Sequence, residues 1–231
     1  MYAYICAHNL QVRDTYLSGG IGLIRNFGRF EKGNPVSRKD KRFRKFSKRQ
    51  EFVRGLDAIY VASLILTIYI LFFRVVIVVG PSMYDTLIQG DRLILVSSLV
   101  YREPQQGDIV VCSKDSFDNG TCFVKRVIAT EGQEVDIDFE SGTVYVDGTA
   151  LEEDYLHTAT YREEGTEFPL IVEEGHIFVM GDNRENSLDS RSPMIGQVDL
   201  RQIIGKAVFI LSPGDNGGTE APQYSRIGWI G

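Results

Sequence analysis

Two groups in this chain have surroundings suited to nucleophilic chemistry: a serine in Gly80-Pro81-Ser82-Met83 and a lysine in Phe123-Val124-Lys125-Arg126-Val127. A serine hydroxyl is a weak nucleophile until a base removes its proton. Histidine is the usual base, yet the 231 residues hold only His8, His157 and His176. His8 is separated from Ser82 by a long apolar run, while His157 and His176 lie in Glu-rich stretches that read as surface. Lys125 is the better base. Strand alternation over residues 121–129 puts Phe123, Lys125, Val127 and Ala129 on one face, so the amine projects among apolar neighbours. Burial disfavours the charged form, and moving a lysine from about 10.4 towards neutrality takes roughly 4–5 kcal/mol. Taken alone, Lys125 also fits a strand lysine whose stem covers apolar surface and whose head reaches water.

A third segment, Met180 to Arg191, leaves a strand for a polar loop containing Asp182, Ser187, Asp189 and Arg191. Its acidic residues do not have EF-hand spacing, and Arg184 and Arg191 intrude among them. A hydrogen-bonded network that orients a neutral amine is another use for these side chains.

The apolar run from Leu56 to Val79 leads directly into Ser82. No charge occurs from Ala58 to Phe73, and with Leu56 and Asp57 this makes about 18 residues, roughly 27 Å of helix and close to a bilayer's hydrocarbon thickness. A transmembrane helix over 56–73 is expected, rather than a buried core helix or a cleaved leader. After Arg74 the β-branched run Val75 to Val79 reads as a strand ended by Gly-Pro. Further strands are predicted over 92–97, 108–113, 121–129, 134–139, 143–147, 168–172, 176–180 and 206–211. The expected fold is mostly β. Residues 1–55 form a basic N-terminal region, and 74–212 a folded domain with an inserted subdomain over about 141–174. Residues 213–231 read as a loose, Gly-rich tail.

The net charge of -6 hides an asymmetry. Residues 1–54 hold 13 Lys/Arg and four acidic residues, against 12 and 27 in the remainder. The basic cluster over 37–49 abuts the apolar run, which points to a cytoplasmic N-terminus with the larger domain across the membrane, and to contact with anionic headgroups. Nucleic acid is excluded as a partner because the cluster adjoins a membrane-length segment and the rest is acidic. Cys112 and Cys122 flank Asp118-Asn119-Gly120, a hairpin-turn signal, and fit either a cross-strand disulfide or two separate thiols. No cofactor or metal is expected, since no C-x-x-C or His cluster is present.

Together the three segments, in this order after a membrane span, resemble the type I signal peptidases, membrane-bound Ser/Lys endopeptidases. The resemblance covers about residues 55–212. It implies a signal-peptidase-like β ectodomain with one N-terminal transmembrane helix, Ser82 as nucleophile and Lys125 as general base. By the same resemblance Ser187 orients the lysine by a hydrogen bond, Asp189 and Arg191 form a supporting ion pair, and Asp182 and Arg126 lie nearby. Val76, Val78, Met83, Phe123 and Val124 match shallow subsites for small residues. Gly80 stands where some relatives carry an oxyanion hydroxyl, leaving backbone donors. The implied partners are signal-peptide-bearing preproteins, the lipid bilayer and, as a candidate, the secretion translocon. A self-cleaving repressor-type Ser/Lys protease and a catalytically silent membrane-anchored assembly factor are the rival readings.

Overall fold

The computed structural model describes residues 5–6, 38–114 and 121–230, with side chains from Phe52 onward. The chain divides into a helical unit ending at Ile68 and a β unit from Tyr69 onward that also takes in the first strand. The helix, α1 (Arg38–Phe72), starts earlier than the expected span and runs through the basic cluster. Only Gly55 interrupts its helix-forming composition, and no proline occurs in it. Its Phe52–Phe72 portion has mean hydropathy 2.0 and no buried side chain, and its 21 residues are long and apolar enough to cross a membrane. The helix ends where Phe73 opens the β-branched strand.

In chain order the strands are β1 (Ile5–Cys6), β2 (Phe73–Val78), β3 (Arg92–Ser97), β4 (Ile109–Ser113), β5 (Cys122–Thr130), β6 (Glu134–Asp138), β7 (Thr143–Val146), β8 (Thr149–Ala150), β9 (Leu170–Ile171), β10 (His176–Met180), β11 (Val198–Asp199), β12 (Ile203–Ser212) and β13 (Gly228–Trp229). The larger sheet has the order β1-β2-β3-β12-β4-β5-β10-β11, with β13 on β12. All its pairings are antiparallel, and β1 also pairs with β5, so it bridges the edges of β2 and β5. A second sheet, β8-β7-β6-β9, forms the excursion and begins at Glu134, ahead of the expected 141.

Strand β5 is buried on both faces. Val124 belongs to one apolar cluster with Val76, Val78, Met83 and Leu87, while Phe123 and Val127 belong to another with Val110 and Val179. The predicted alternation fails beyond Val127. Val179 pairs with Val127 and Phe178 with Ala129, which leaves Ile128 as an unpaired extra residue. The bulge carries Ile128 and Ala129 together into the core of the second sheet, so Ala129 does not share the face of Lys125.

The C-terminal segment is not loose. Strand β13 pairs with β12, Trp229 stacks edge-on against Phe209 with ring centroids 5.3 Å apart, and Arg226 bonds to buried Asp91. Its glycines concealed this: Gly214 sits so close to Gln89 and Asp91 that a Cβ would collide with their backbone.

The Asp118-Asn119-Gly120 turn lies outside the described residues. The ladder beside it sets Cys112 opposite Phe123 and Ser113 opposite Cys122. One residue of offset sends the two thiols to opposite faces of the sheet, and both are free. Burial pushes the Cys112 thiol up to about 12. Alkylation of the unfolded protein without prior reduction is expected to modify both cysteines, and native protein at pH 8 to leave Cys112 unmodified. A Cys112–Cys122 linked peptide in the mass spectrum would contradict the register.

Candidate active site

Strand β2 delivers Ser82 into a tight turn. Gly80 takes φ +92°, a left-handed conformation that favours glycine, and Pro81 starts the turn closed by Tyr84 N–H donating to the Pro81 carbonyl at 3.1 Å. Leu87 N–H then donates to the Met83 carbonyl at 2.7 Å, while the Met83 and Leu87 side chains anchor the turn in the first apolar cluster. Asn183 fastens it from the other side. Its backbone N–H donates to the Ser82 carbonyl at 3.0 Å and its Nδ2 to the Pro81 carbonyl at 3.1 Å. Among the described residues no acceptor meets the Ser82 N–H.

Lys125 reaches the serine from β5. Its Nζ lies 2.9 Å from Ser82 Oγ and 3.1 Å from the Val124 carbonyl oxygen, with Lys125 only 2% and Ser82 1% exposed. Burial pushes the lysine down to about 8, against the upward pull of Asp189 and Asp182, while Arg191 assists. A neutral amine here can accept the serine proton across the same contact.

Two buried ion pairs flank the amine. Arg126 grips Asp182 through Nε at 2.9 Å and Nη2 at 2.7 Å, donates Nη1 to the Gly107 carbonyl, and lies 3.8 Å from the Tyr155 ring centroid. Thr86 Oγ1 donates to the same aspartate. Arg191 holds Asp189 through Nε at 2.9 Å and Nη2 at 3.0 Å, and Gly181 N–H donates to Asp189 at 3.0 Å. Burial raises the Asp189 carboxyl, but Arg191 and these hydrogen bonds outweigh it and hold the group below the usual carboxylate range. Arg184, fully buried, joins this loop to the excursion by pairing with Glu153 and Thr160.

The structure gathers Ser82, Lys125, Asp182, Ser187, Asp189, Arg126 and Arg191 around Gly181. A Cβ on Gly181 would collide with Ser187 Oγ and the Ser82 carbonyl, so glycine is what lets the two loops meet. Ser187 differs from its expected geometry. Its hydroxyl is buried without a completed hydrogen bond and faces the Asp189 carboxylate, which it helps to keep ionised, while the bonds of Lys125 go to Ser82 and Val124. Val76, Val78, Met83 and Val124 are core residues of the first cluster, and Phe123 of the second.

Sequence reasoning gave no role to Asn183, Thr86 or Tyr155, although Thr86 and Asn183 stand within segments that carry the resemblance. Both downstream histidines are engaged elsewhere: His157 Nδ1 is 3.1 Å from Asp85, and His176 Nδ1 is 3.0 Å from the Glu174 carbonyl. Among the described residues no cluster of three or more His, Cys, Asp or Glu side chains could hold a metal.

Known proteins resemble this chain. The family model "Signal peptidase, peptidase S26" matches residues 50–212. A probable signal peptidase I-1 of Synechocystis sp. is 35% identical over 178 residues, 73% of this chain and 87% of the relative. A signal peptidase I of Bacillus amyloliquefaciens is 34% identical over 169 residues, 69% of this chain and 84% of the relative. A solved signal peptidase I from Enterococcus faecalis V583 is 33% identical, covers 45% of this chain and 96% of its own, and has a TM-score of 0.36. The matched range takes in the serine turn, the lysine strand and the polar loop, and the chain belongs to the signal peptidase family, peptidase S26.

Proposed function

We propose that this protein is a signal peptidase I, a serine endopeptidase that removes N-terminal signal peptides from exported preproteins, with Ser82 as nucleophile and Lys125 as general base. The observation that carries this reading is the 2.9 Å contact between Ser82 Oγ and a buried lysine Nζ. Neutral Nζ takes the hydroxyl proton as Oγ bonds to the scissile carbonyl carbon. The oxyanion meets the unpaired Ser82 N–H, held in place because Asn183 engages the Pro81 and Ser82 carbonyls. The ammonium then protonates the departing amide nitrogen, which leaves as the mature protein's new N-terminus. A water molecule, deprotonated by the neutral lysine, hydrolyses the serine ester and restores the hydroxyl. Asp182, Asp189, Arg126, Arg191 and Ser187 set the electrostatic surroundings of the amine without entering the bond changes.

A preprotein's cleavage segment binds extended in the slot between β2 and β5. The pairing of β1 with β2, and at Ile5↔Cys122 with β5, supports this, because an added antiparallel strand fits at that place. Val76, Val78, Met83 and Val124, each 5% exposed or less and packed in one cluster, form its floor, and so shallow a floor admits small side chains, whereas Phe123 packs on the opposite face of β5.

The basic N-terminal region is cytoplasmic, the helix spans the membrane and the β domain faces the outside. Nine residues separate Phe73 from Ser82, at most roughly 30 Å of chain, so the serine stays near the outer surface, where preproteins delivered by a translocon expose their cleavage sites.

Ser82→Ala and Lys125→Ala are each expected to lower kcat for a model preprotein by more than about 1000-fold while the protein stays folded in detergent. Retained cleavage by the serine variant would reject the mechanism. An acylating inhibitor is expected to label Ser82.

Since the base is the neutral form of a group near 8, kcat/KM is expected to rise with pH through an apparent pKa of about 8. Replacing His157 and His176 together by Gln is expected to leave this limb in place. Its disappearance in the folded double variant would transfer the base role to histidine.

A further inference from the structure

The family match ends at residue 212, yet the chain continues into a segment bound tightly to the turn that carries the serine. That turn leaves β2 at Val78 and returns at Asp91, where Val78 N–H donates to the Asp91 carbonyl at 2.9 Å. Asp91 is fully buried, and both carboxylate oxygens are occupied twice. Oδ1 accepts from Gly214 N–H at 2.7 Å and Arg226 Nη1 at 2.9 Å. Oδ2 accepts from Ile88 N–H and Arg226 Nη2, each at 2.8 Å. The same Nη2 donates to the Thr86 carbonyl at 2.8 Å. Tyr84 OH lies 3.4 Å from Glu220, which Asn216 holds at 2.8 Å. A guanidinium from near the C-terminus thus grips the turn at two places, residues 86 and 91.

Those places connect to the reacting pair. Thr86 Oγ1 donates to Asp182, whose partner Arg126 is the neighbour of Lys125 in β5. Leu87 N–H holds the Met83 carbonyl, one residue from Ser82. We propose that Arg226 is a positioning residue for the reaction: by clamping Thr86 and Asp91 it holds the nucleophile turn at the height that sets Ser82 Oγ against Lys125 Nζ. A turn free to shift by about 1 Å loses attack geometry, which is worth up to roughly 100-fold in rate, while the β2 and β5 edges that bind the peptide stay where they are. This inference rests on the Ser82 and Lys125 assignment.

The test uses the full chain in detergent, with kcat and KM for a preprotein peptide measured well below the midpoint of thermal unfolding. Arg226→Gln is expected to lower kcat at least tenfold with KM within twofold of the parent, and Arg226→Lys, which keeps the charge but not the two-armed grip, to lose less. Trp229→Ala alters the same segment through its contact with Phe209 and is expected to keep the parental kcat. Labelling of Ser82 by an acylating inhibitor is expected to slow in Arg226→Gln by the same factor as kcat. A folded Arg226→Gln with kcat within twofold of the parent would overturn the proposal, as would an equal loss in Trp229→Ala. Should the Gln variant not fold, an unchanged kcat in Arg226→Lys would overturn it instead. Ser82→Ala measured alongside separates the two readings: cleavage by that variant sinks the nucleophile assignment, whereas its inactivity beside a fully active Arg226→Gln sinks only the clamp.

Discussion

The structure depends on keeping an amine where water does not reach it. Lys125 Nζ has two hydrogen bonds, to Ser82 Oγ and the Val124 carbonyl, and β5, the strand that carries it, is buried on both faces. A shift from 10.5 to about 8 corresponds to about 3 kcal/mol against the ammonium. Below pH 8 folded and unfolded chains both carry the proton, and the folded state bears the whole penalty. Between about 8 and 10.5 the folded amine is neutral and the unfolded one charged, so stability rises with pH across that window. Against a typical stability of about 5–15 kcal/mol this is a considerable cost. It accompanies the one protonation state able to accept the serine proton.

Two carboxylates near a buried lysine favour its charged form. Each has its own guanidinium: Asp182 has Arg126 and Asp189 has Arg191. Arg191 offsets part of the field that would return the proton to the amine, and desolvation outweighs the remainder. The arrangement also explains the concentration of arginine in so small a volume. A buried aspartate needs a bidentate donor more than a point charge, and an unpaired one would cost several kcal/mol. The pairs are links between loops as well as partners for buried charge.

Local patterns were legible because local physics sets them. The β-branched run after the helix, the strands bounded by Gly, Asn and Pro, and the Ser and Lys motifs all follow from side-chain type and period over a few residues. What escaped depends on partners far along the chain. The Ile128 bulge arises from the register with β10 and has no local signature. The separation of Cys112 from Cys122 turns on one residue of ladder offset. Asp91 and Arg226 are 135 residues apart, and Gly-rich composition near Arg226 reads as slack when its function is close approach. Asp91, buried beneath the serine turn, is the hub of that approach.

The same reasoning explains why base and ion pair are consecutive residues. In β5, Lys125 and Arg126 point to opposite faces, and β10 pairs Met180 with Arg126, so the chain leaves β10 at Gly181 beside the lysine. Asp182 then meets Arg126, and Gly181 admits the Ser82 carbonyl and Ser187 where a side chain could not fit. A slip of one residue in this register would turn the arginine towards the serine and the lysine towards Asp182, exchanging a poised base for a permanent cation. The β4–β5 ladder runs without a break from Ser113↔Cys122 to Ile109↔Arg126, and the bulge begins only after Val127. The irregularity therefore falls just beyond the residues whose facing decides the chemistry, where it can redirect the strand into the second sheet without disturbing them.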